Sequence, residues 1–160
     1  MKEIQLTQGK VALVDDDMYD YLIQWKWYAN NLSGKFYAIR NHRENKKFVA
    51  QLLMHRFIMN PSKGLVVDHL NGNTLDNRKC NLRVCTYSQN SMNRIKQINN
   101  NSGYKGVSWH KNHKIYESRI MSNGVNIHIG SFENIIDAAR AYNEAAIKYH
   151  GEFANLNKID

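Results

Sequence analysis

Asp68 and His69 stand side by side after the apolar pair Val66-Val67, and they are followed by Asn71, Asn73, Asn77 and Asn81, and further on by Asn90. A carboxylate and a side-chain amide are hard oxygen donors. Asp68 and Asn90 together therefore suit magnesium or a similar divalent ion that keeps several waters and binds substrate phosphate. A neutral imidazole takes a proton from water near pH 7, which suits His69 to general-base work. Taken singly, an Asp-His pair is usually a surface or capping pair, and asparagines populate turns for local hydrogen-bonding reasons. The conjunction of Asp68, His69, Asn77, Arg78, Asn81, Leu82 and Asn90 is what distinguishes this stretch.

Positioning these groups requires a strand, a loop and a helix. Val66 and Val67 read as the end of a strand presenting Asp68 and His69, and Asn71-Gly72 lets the chain turn away sharply. Thr86 and Gln89 have capping-box spacing, which starts a helix at Tyr87 and places Asn90 in its first turns. Upstream, Asn60-Pro61-Ser62-Lys63-Gly64 reads as a turn leading into the strand.

In these residues the chain resembles the HNH nucleases, whose ββα-metal motif carries an Asp-His pair, a central Asn and a terminal His or Asn. The resemblance implies that His69 is the general base and Asp68 a metal ligand. It makes Asn81 the residue that pins the loop orienting the base, and Asn90 the second metal ligand. Asn90 stands where many members have His, which favours Mg2+ or Mn2+ over tight transition-metal binding. The resemblance takes in Asp76-Asn77-Arg78 and extends loosely to Gln8-Gly9-Lys10 and Met54-His55-Arg56. It implies hydrolysis to a 5′-phosphate and a 3′-hydroxyl. Arg78, Lys79, Arg83 and Arg94 are candidates to hold flanking phosphates, although any one of them could equally be a solvated surface charge. His55 reads as a helix-borne packing histidine.

Composition agrees with a polyanionic partner. The 160 residues carry a formal net charge of +8 and a pI near 9.5, and clustered Lys and Arg gain affinity by releasing counterions from phosphates. Cys80 and Cys85 are the only cysteines, too few for a four-cysteine zinc site and expected to stay reduced in a cytosol. No apolar run approaches the roughly 18 residues of a membrane helix. The N-terminus MKEIQLTQGK lacks the pattern of a secretion signal, so a cytoplasmic location is expected; the fused architecture described below makes a phage-infected bacterial host the expected one.

Along the rest of the chain, Val11 to Val14, Phe36 to Arg40 and Lys47 to Val49 read as strands. Asp15-Asp16-Asp17 starts a helix expected to reach Trp25, since acids suit the positive end of the helix dipole. Trp25, Trp27 and Tyr28 are expected to fill a small core. IKQINNNSG, residues 95–103, has linker composition. Beyond it, Gly106 to His110, Ile115 to Met121 and Asn126 to Ile129 alternate as strands, with Asn123-Gly124 as a hairpin turn. Ile135, Ala138, Ala139, Tyr142, Ala145, Ala146 and Tyr149 then fall at helical spacing between an N-cap at Asn134 and a stop at Gly151.

This last run resembles the DNA-binding domain of the plant APETALA and ethylene-response-factor proteins. The resemblance rests on Tyr104-Lys105-Gly106-Val107, Ile129-Gly130-Ser131-Phe132, Ala138-Ala139-Arg140-Ala141-Tyr142 and Ala154-Asn155-Leu156-Asn157. In that fold one sheet face packs on the helix and the other lies in the major groove of DNA. Strand alternation makes the same division: Val107, Tyr116, Ser118, Ile120, Ile127 and Ile129 face the helix, while Ser108, His110, Glu117, Arg119, Asn126 and His128 face outward. The resemblance places Lys105, Ser108, His110, Arg119, Asn126 and His128 at DNA-contacting positions. Trp109 suits either DNA contact or cover for the sheet edge.

The expected architecture is α+β: an HNH nuclease domain over residues 1–94, with an extension to residue 60 and a ββα-metal core over about 61–94, then a linker over 95–103. A three-stranded antiparallel sheet with a helix, the DNA-binding domain, completes it over 104–157. The expected partner is double-stranded DNA, with one divalent metal ion, no membrane, no small-molecule cofactor, and a monomer or homodimer. Phage origin and homing behaviour are inferred from the fused architecture. The competing reading is a DNA-binding regulator with a vestigial nuclease unit; a nonspecific nuclease would not need the second domain.

Overall fold

The computed structural model describes residues 1–94 and 100–159. The chain forms two compact units, Met1–Tyr87 and Ser88–Asp160. Residues 95–99 of the expected linker lie outside the described residues.

The first unit opens with the antiparallel hairpin of β1 (Lys2–Gln5) and β2 (Val11–Val14), in which Lys2 pairs with Val14. Helix α1 (Asp16–Leu22) follows, with Asp16 and Asp17 in its first turn. It stops short of the expected Trp25, where the Leu22 carbonyl accepts from the Trp25 amide at 3.3 Å and from the Trp27 indole at 2.9 Å. Trp27 thereby enters the core with Ile4, Leu6, Ala12, Val14, Leu22, Ala29, Ala38 and Met54. Trp25 stays half-buried and covers the Arg40 guanidinium, 4.4 Å from its ring. The half-buried Tyr28 donates its hydroxyl to Asn41 at 2.8 Å.

A meander comes next, β3 (Tyr28–Leu32), β4 (Lys35–Glu44) and β5 (Lys47–Leu53), with β4 central. Its strand β3, YANNL, is unsuited to a strand by propensity and is held by pairing, Ala29 against Ala38; tertiary context overrides intrinsic preference here. Helix α2 (Met54–Met59) ends at Asn60, whose φ of 41° is the left-handed stop, with Pro61 after it. Strands β6 (Val66–His69) and β7 (Leu82–Cys85) form a separate two-stranded sheet. Helix α3 (Tyr87–Met92) begins at the expected residue.

In the second unit, β8 (Val107–His110), β9 (Ile115–Ser122) and β10 (Val125–Phe132) pair in the order β10-β9-β8, and α4 (Ile135–His150) packs on them. The Asn134 side chain accepts from the Ile136 amide at 2.7 Å and Gly151 ends the helix at φ 54°. The fully buried Ala138, Ala139 and Ala146 let the helix approach the sheet. Asn157 joins the C-terminal segment to the start of β8: its Oδ1 accepts from the Lys105 amide at 2.6 Å and its Nδ2 donates to the Lys105 carbonyl at 3.0 Å.

Gly106 is the tightest point of this packing. Its φ is +74°, and a Cβ there would lie 2.1 Å from Tyr142 Cδ2 and 2.7 Å from the Arg119 carbonyl oxygen. Both backbone strain and overpacking oppose any side chain, together at least about 3 kcal/mol. Gly106→Ala should therefore cost the second unit most of its stability, measured as loss of the cooperative urea transition of its tryptophan, Trp109. A transition within about 0.5 kcal/mol of wild type would contradict this packing.

Candidate active site

Asp68 and His69 close strand β6 and are 7% and 5% exposed, so acid and base are both buried. Directly across the hairpin Asp68 faces Arg83, and His69 faces Leu82. The Arg83 guanidinium donates from Nε at 3.0 Å and from Nη2 at 2.7 Å to Asp68 Oδ2. The His69 ring sits in an aromatic wall. Its centroid is 4.9 Å from that of His55, with the planes at 72°, and 6.3 Å from that of Tyr37. Burial holds the His69 pKa below its ordinary 6.5, while the neighbouring Asn77 side chain and the Asp68 charge favour the protonated form. Burial and the nearby His69 push the His55 imidazole down to about 3, so this second ring is neutral.

The loop between β6 and β7 is cross-linked from inside. Asn81 Oδ1 accepts from the Asn71 amide at 3.0 Å, and Asn81 Nδ2 donates to the Asp76 carbonyl at 2.8 Å. The Asp76 carboxylate, on a residue only 1% exposed, receives Arg78 Nε at 2.7 Å, Arg78 Nη2 at 2.6 Å and Asn71 Nδ2 at 3.0 Å. Arg78 is the main reason this carboxyl is held below its ordinary 3.8, with Asn71 adding to it. Asn73 accepts from the Leu75 amide at 3.1 Å as a local turn residue. The loop is also attached to β2: Leu13 N donates to the Leu75 carbonyl at 2.9 Å and Asn77 N to the Leu13 carbonyl at 2.8 Å. Lys79 binds the start of α1, through its amide to Asp15 and its ammonium to Asp17, both at 2.6 Å.

Asp68, His69, Arg78, Asn81 and Arg83 thus belong to the first unit. Arg78 and Arg83, expected at flanking phosphates, are each paired to a carboxylate, Arg78 to Asp76 and Arg83 to Asp68. Half-buried Asn90 lies on α3 and exposed Arg94 just after it, both within the second unit. His55, expected as a helix-borne packing histidine, packs from α2 against the His69 ring, while two contributors had no role in the sequence reading: Asp76 as loop anchor and Tyr37 beside His69. The Asp76-x-Arg78 spacing was the available signal for the first, whereas Tyr37 lies in a distant strand and left none.

On the sheet of the second unit, Ser108, Arg119, Asn126 and His128 are exposed on one face, and His110 is half-buried. Arg119 lies directly across from His128, Asn126 across from Met121 and Ser108 across from Glu117. A bulge between His128 and Gly130 shifts the register there. Arg119 Nη2 donates to Glu117 Oε2 at 2.9 Å. Lys105 sits apart from these groups: half-buried, with its pKa lowered to about 8 by burial, it donates from Nζ to the Met92 carbonyl at 2.6 Å. The Trp109 ring packs 4.7 Å from Tyr116 and remains 46% exposed.

Residues 60–92 match the family model described as HNH endonuclease. A protein of Acanthamoeba polyphaga mimivirus named as an uncharacterized HNH endonuclease is 31% identical over 153 residues, 96% of this chain and 78% of that protein. Protein 3.8 of Escherichia phage T7 is 32% identical over 94 residues, 59% of this chain and 77% of the phage protein. APETALA2-like protein 2 of rice, Oryza sativa subsp. indica, is 39% identical over 56 residues, 35% of this chain but only 13% of the plant protein. No solved structure matches the chain. The chain belongs to the HNH endonuclease family. That membership makes it a DNA nuclease.

Asn81 satisfies two backbone groups at once, the part-buried Asn71 amide and the buried Asp76 carbonyl. Asn81→Ala should leave both without partners and lower the stability of the first unit by about 2 kcal/mol, read from the midpoint of urea unfolding. An unchanged midpoint would show that water replaces the amide.

Proposed function

We propose that the protein is a metal-dependent endonuclease of double-stranded DNA, with His69 as general base, Asp68 and Asn90 as metal ligands and Asn81 as the pin of the loop. The carrying observation is the buried Asp68-His69 pair at the end of β6, facing Arg83 and Leu82 across a cross-linked loop, in a chain of the HNH family. A carboxylate and an amide are a hard donor set that fits Mg2+ or Mn2+. Among the described residues no group of three or more His, Cys, Asp or Glu could hold a metal, so in this reading the ion takes its remaining ligands from water and substrate phosphate. Such an ion supplies charge stabilisation for the attacked phosphate and the departing 3′ oxygen.

The protein's own part is proton handling and orientation. His69 removes the proton from the attacking water, its ring held by Tyr37 and His55, and hydrolysis leaves a 5′-phosphate and a 3′-hydroxyl. Because burial keeps His69 neutral below its ordinary 6.5, the base form persists into mild acid. In the same reading residues 104–157 form the DNA-reading domain, with Ser108, His110, Arg119, Asn126 and His128 on its sheet and Lys105 at its start. Residues 1–94 form the nuclease domain. A phage homing-type role belongs to the same reading, inferred from the fused architecture; the likeness to a T7 phage protein supports its phage part alone.

Plasmid nicking in Mg2+ tests the catalytic assignment. His69→Ala should lower the rate by about 100-fold or more, with the acid limb of the wild-type profile below pH 6.5. Equal nicking by both proteins would overturn the role of His69, and DNA binding without cleavage by wild type would favour a regulator with a vestigial nuclease unit. For the reader, Arg119→Ala should weaken gel-shift affinity and reduce the salt slope by about 1. An unchanged slope would remove Arg119 from the interface.

A further inference from the structure

Arg83 and Asp68 are built as a fixed pair rather than a chance surface contact. They are directly opposed in the register of β6 and β7, where antiparallel neighbours share a face. Their side chains are 14% and 8% exposed, and two guanidinium N–H groups converge on one carboxylate oxygen. A buried carboxylate needs a countercharge, and breaking such a pair from one side is strongly unfavourable. A divalent ion at the same carboxylate brings a second cation into a poorly screened site, where like charges repel far more strongly than in water.

We infer that Arg83 is the resident counter-ion of Asp68 and competes with the metal for it, so that the site holds its metal weakly until a DNA phosphate arrives. This rests on the assignment of Asp68 as metal ligand. The phosphate is the missing negative charge: it offsets the crowding of guanidinium and metal around one carboxylate, and it offers the guanidinium a second planar acceptor. Metal and DNA binding are therefore positively coupled, each tightening the other by the same factor. Arg83 acts as a positioning residue, setting when the metal is held rather than reacting itself. Arg78 has no such effect, because its guanidinium is bound to Asp76 in the loop.

The test is Mn2+ binding to the full chain without DNA, followed by electron paramagnetic resonance, for wild type, Arg83→Gln, Arg83→Lys and Asp68→Asn. Arg83→Gln should bind Mn2+ about tenfold more tightly than wild type, and Arg83→Lys, which keeps the charge, within about threefold of it. Asp68→Asn should lose the site. In the absence of metal Arg83→Gln should also melt at a lower temperature than wild type, and added Mn2+ should raise its melting temperature more. If the glutamine variant does not fold, Arg83→Met supplies the uncharged side chain. Loss of the site in Asp68→Asn with unchanged or weaker binding in Arg83→Gln would overturn the competition while leaving the metal assignment standing. Wild-type Mn2+ binding by Asp68→Asn, or no binding by any protein, would overturn the metal assignment and the competition with it.

Discussion

The buried carboxylate of Asp76 is the constraint on which the chemical end of the first unit depends. Four-residue strands such as β6 and β7 make too few ladder bonds to hold an acid and a base in place unaided. The connecting loop supplies the rest, and Asp76 is where its bonds meet: Arg78 and Asn71 reach the carboxylate, and Asn81 reaches the carbonyl. A carboxylate this buried would be unfavourable if left charged and unpaired. Once paired it forces the loop into a single shape, because Arg78 and Asn71 reach the carboxylate while Asn81 reaches the carbonyl only when the loop closes on itself. The attachment of residues 75 and 77 to Leu13 then transmits that shape to the hairpin at the start of the chain.

This explains why an N-terminal extension with no catalytic group belongs to the site. Leu13 fixes the loop, Asp15 and Asp17 hold Lys79, and Tyr37 and His55 line the ring of His69. The acidic triplet that reads as a helix start therefore has a second use, since Asp15 and Asp17 bind the loop as well as opening α1. Only a folded chain brings such partners together across more than sixty positions of sequence.

Legibility in the sequence followed the range of the interactions. Elements specified by local chemistry were readable: Val11–Val14, the helix opened by Asn134 and stopped by Gly151, the turn at Asn123-Gly124, and the start of α3 at Tyr87. Elements specified by distant partners were not. Strand β3 depends on Ala38, α1 ends where the Trp27 indole meets the Leu22 carbonyl, and β7 has only four residues with β6 as its partner. At the site, side-chain types and spacing marked Asp68, His69 and Asn81, but the commitments of Arg78 and Arg83 depend on which carboxylate each meets. A cation read from sequence near an expected phosphate site is ambiguous until its counter-ion is known. The sheet face of the second unit was more legible, because period-two alternation needs no distant information.

Placing the Asp68 carboxylate and the His69 imidazole out of water has a common physical consequence. Burial among aromatic rings lowers the pKa of His69 and favours its neutral form, and Asp68 is paired with the Arg83 guanidinium. In water neither group would need a partner, and neither would hold one orientation. Buried, each is restrained by its neighbours, and the orienting interactions are made during folding. Preorganisation of this kind costs stability at the site, and the loop and N-terminal hairpin offset that cost by bonding around it. The hydrogen bonds surrounding Asp76 therefore shape the loop that leaves the Asp68-His69 pair, while Tyr37 and His55 bound the imidazole itself.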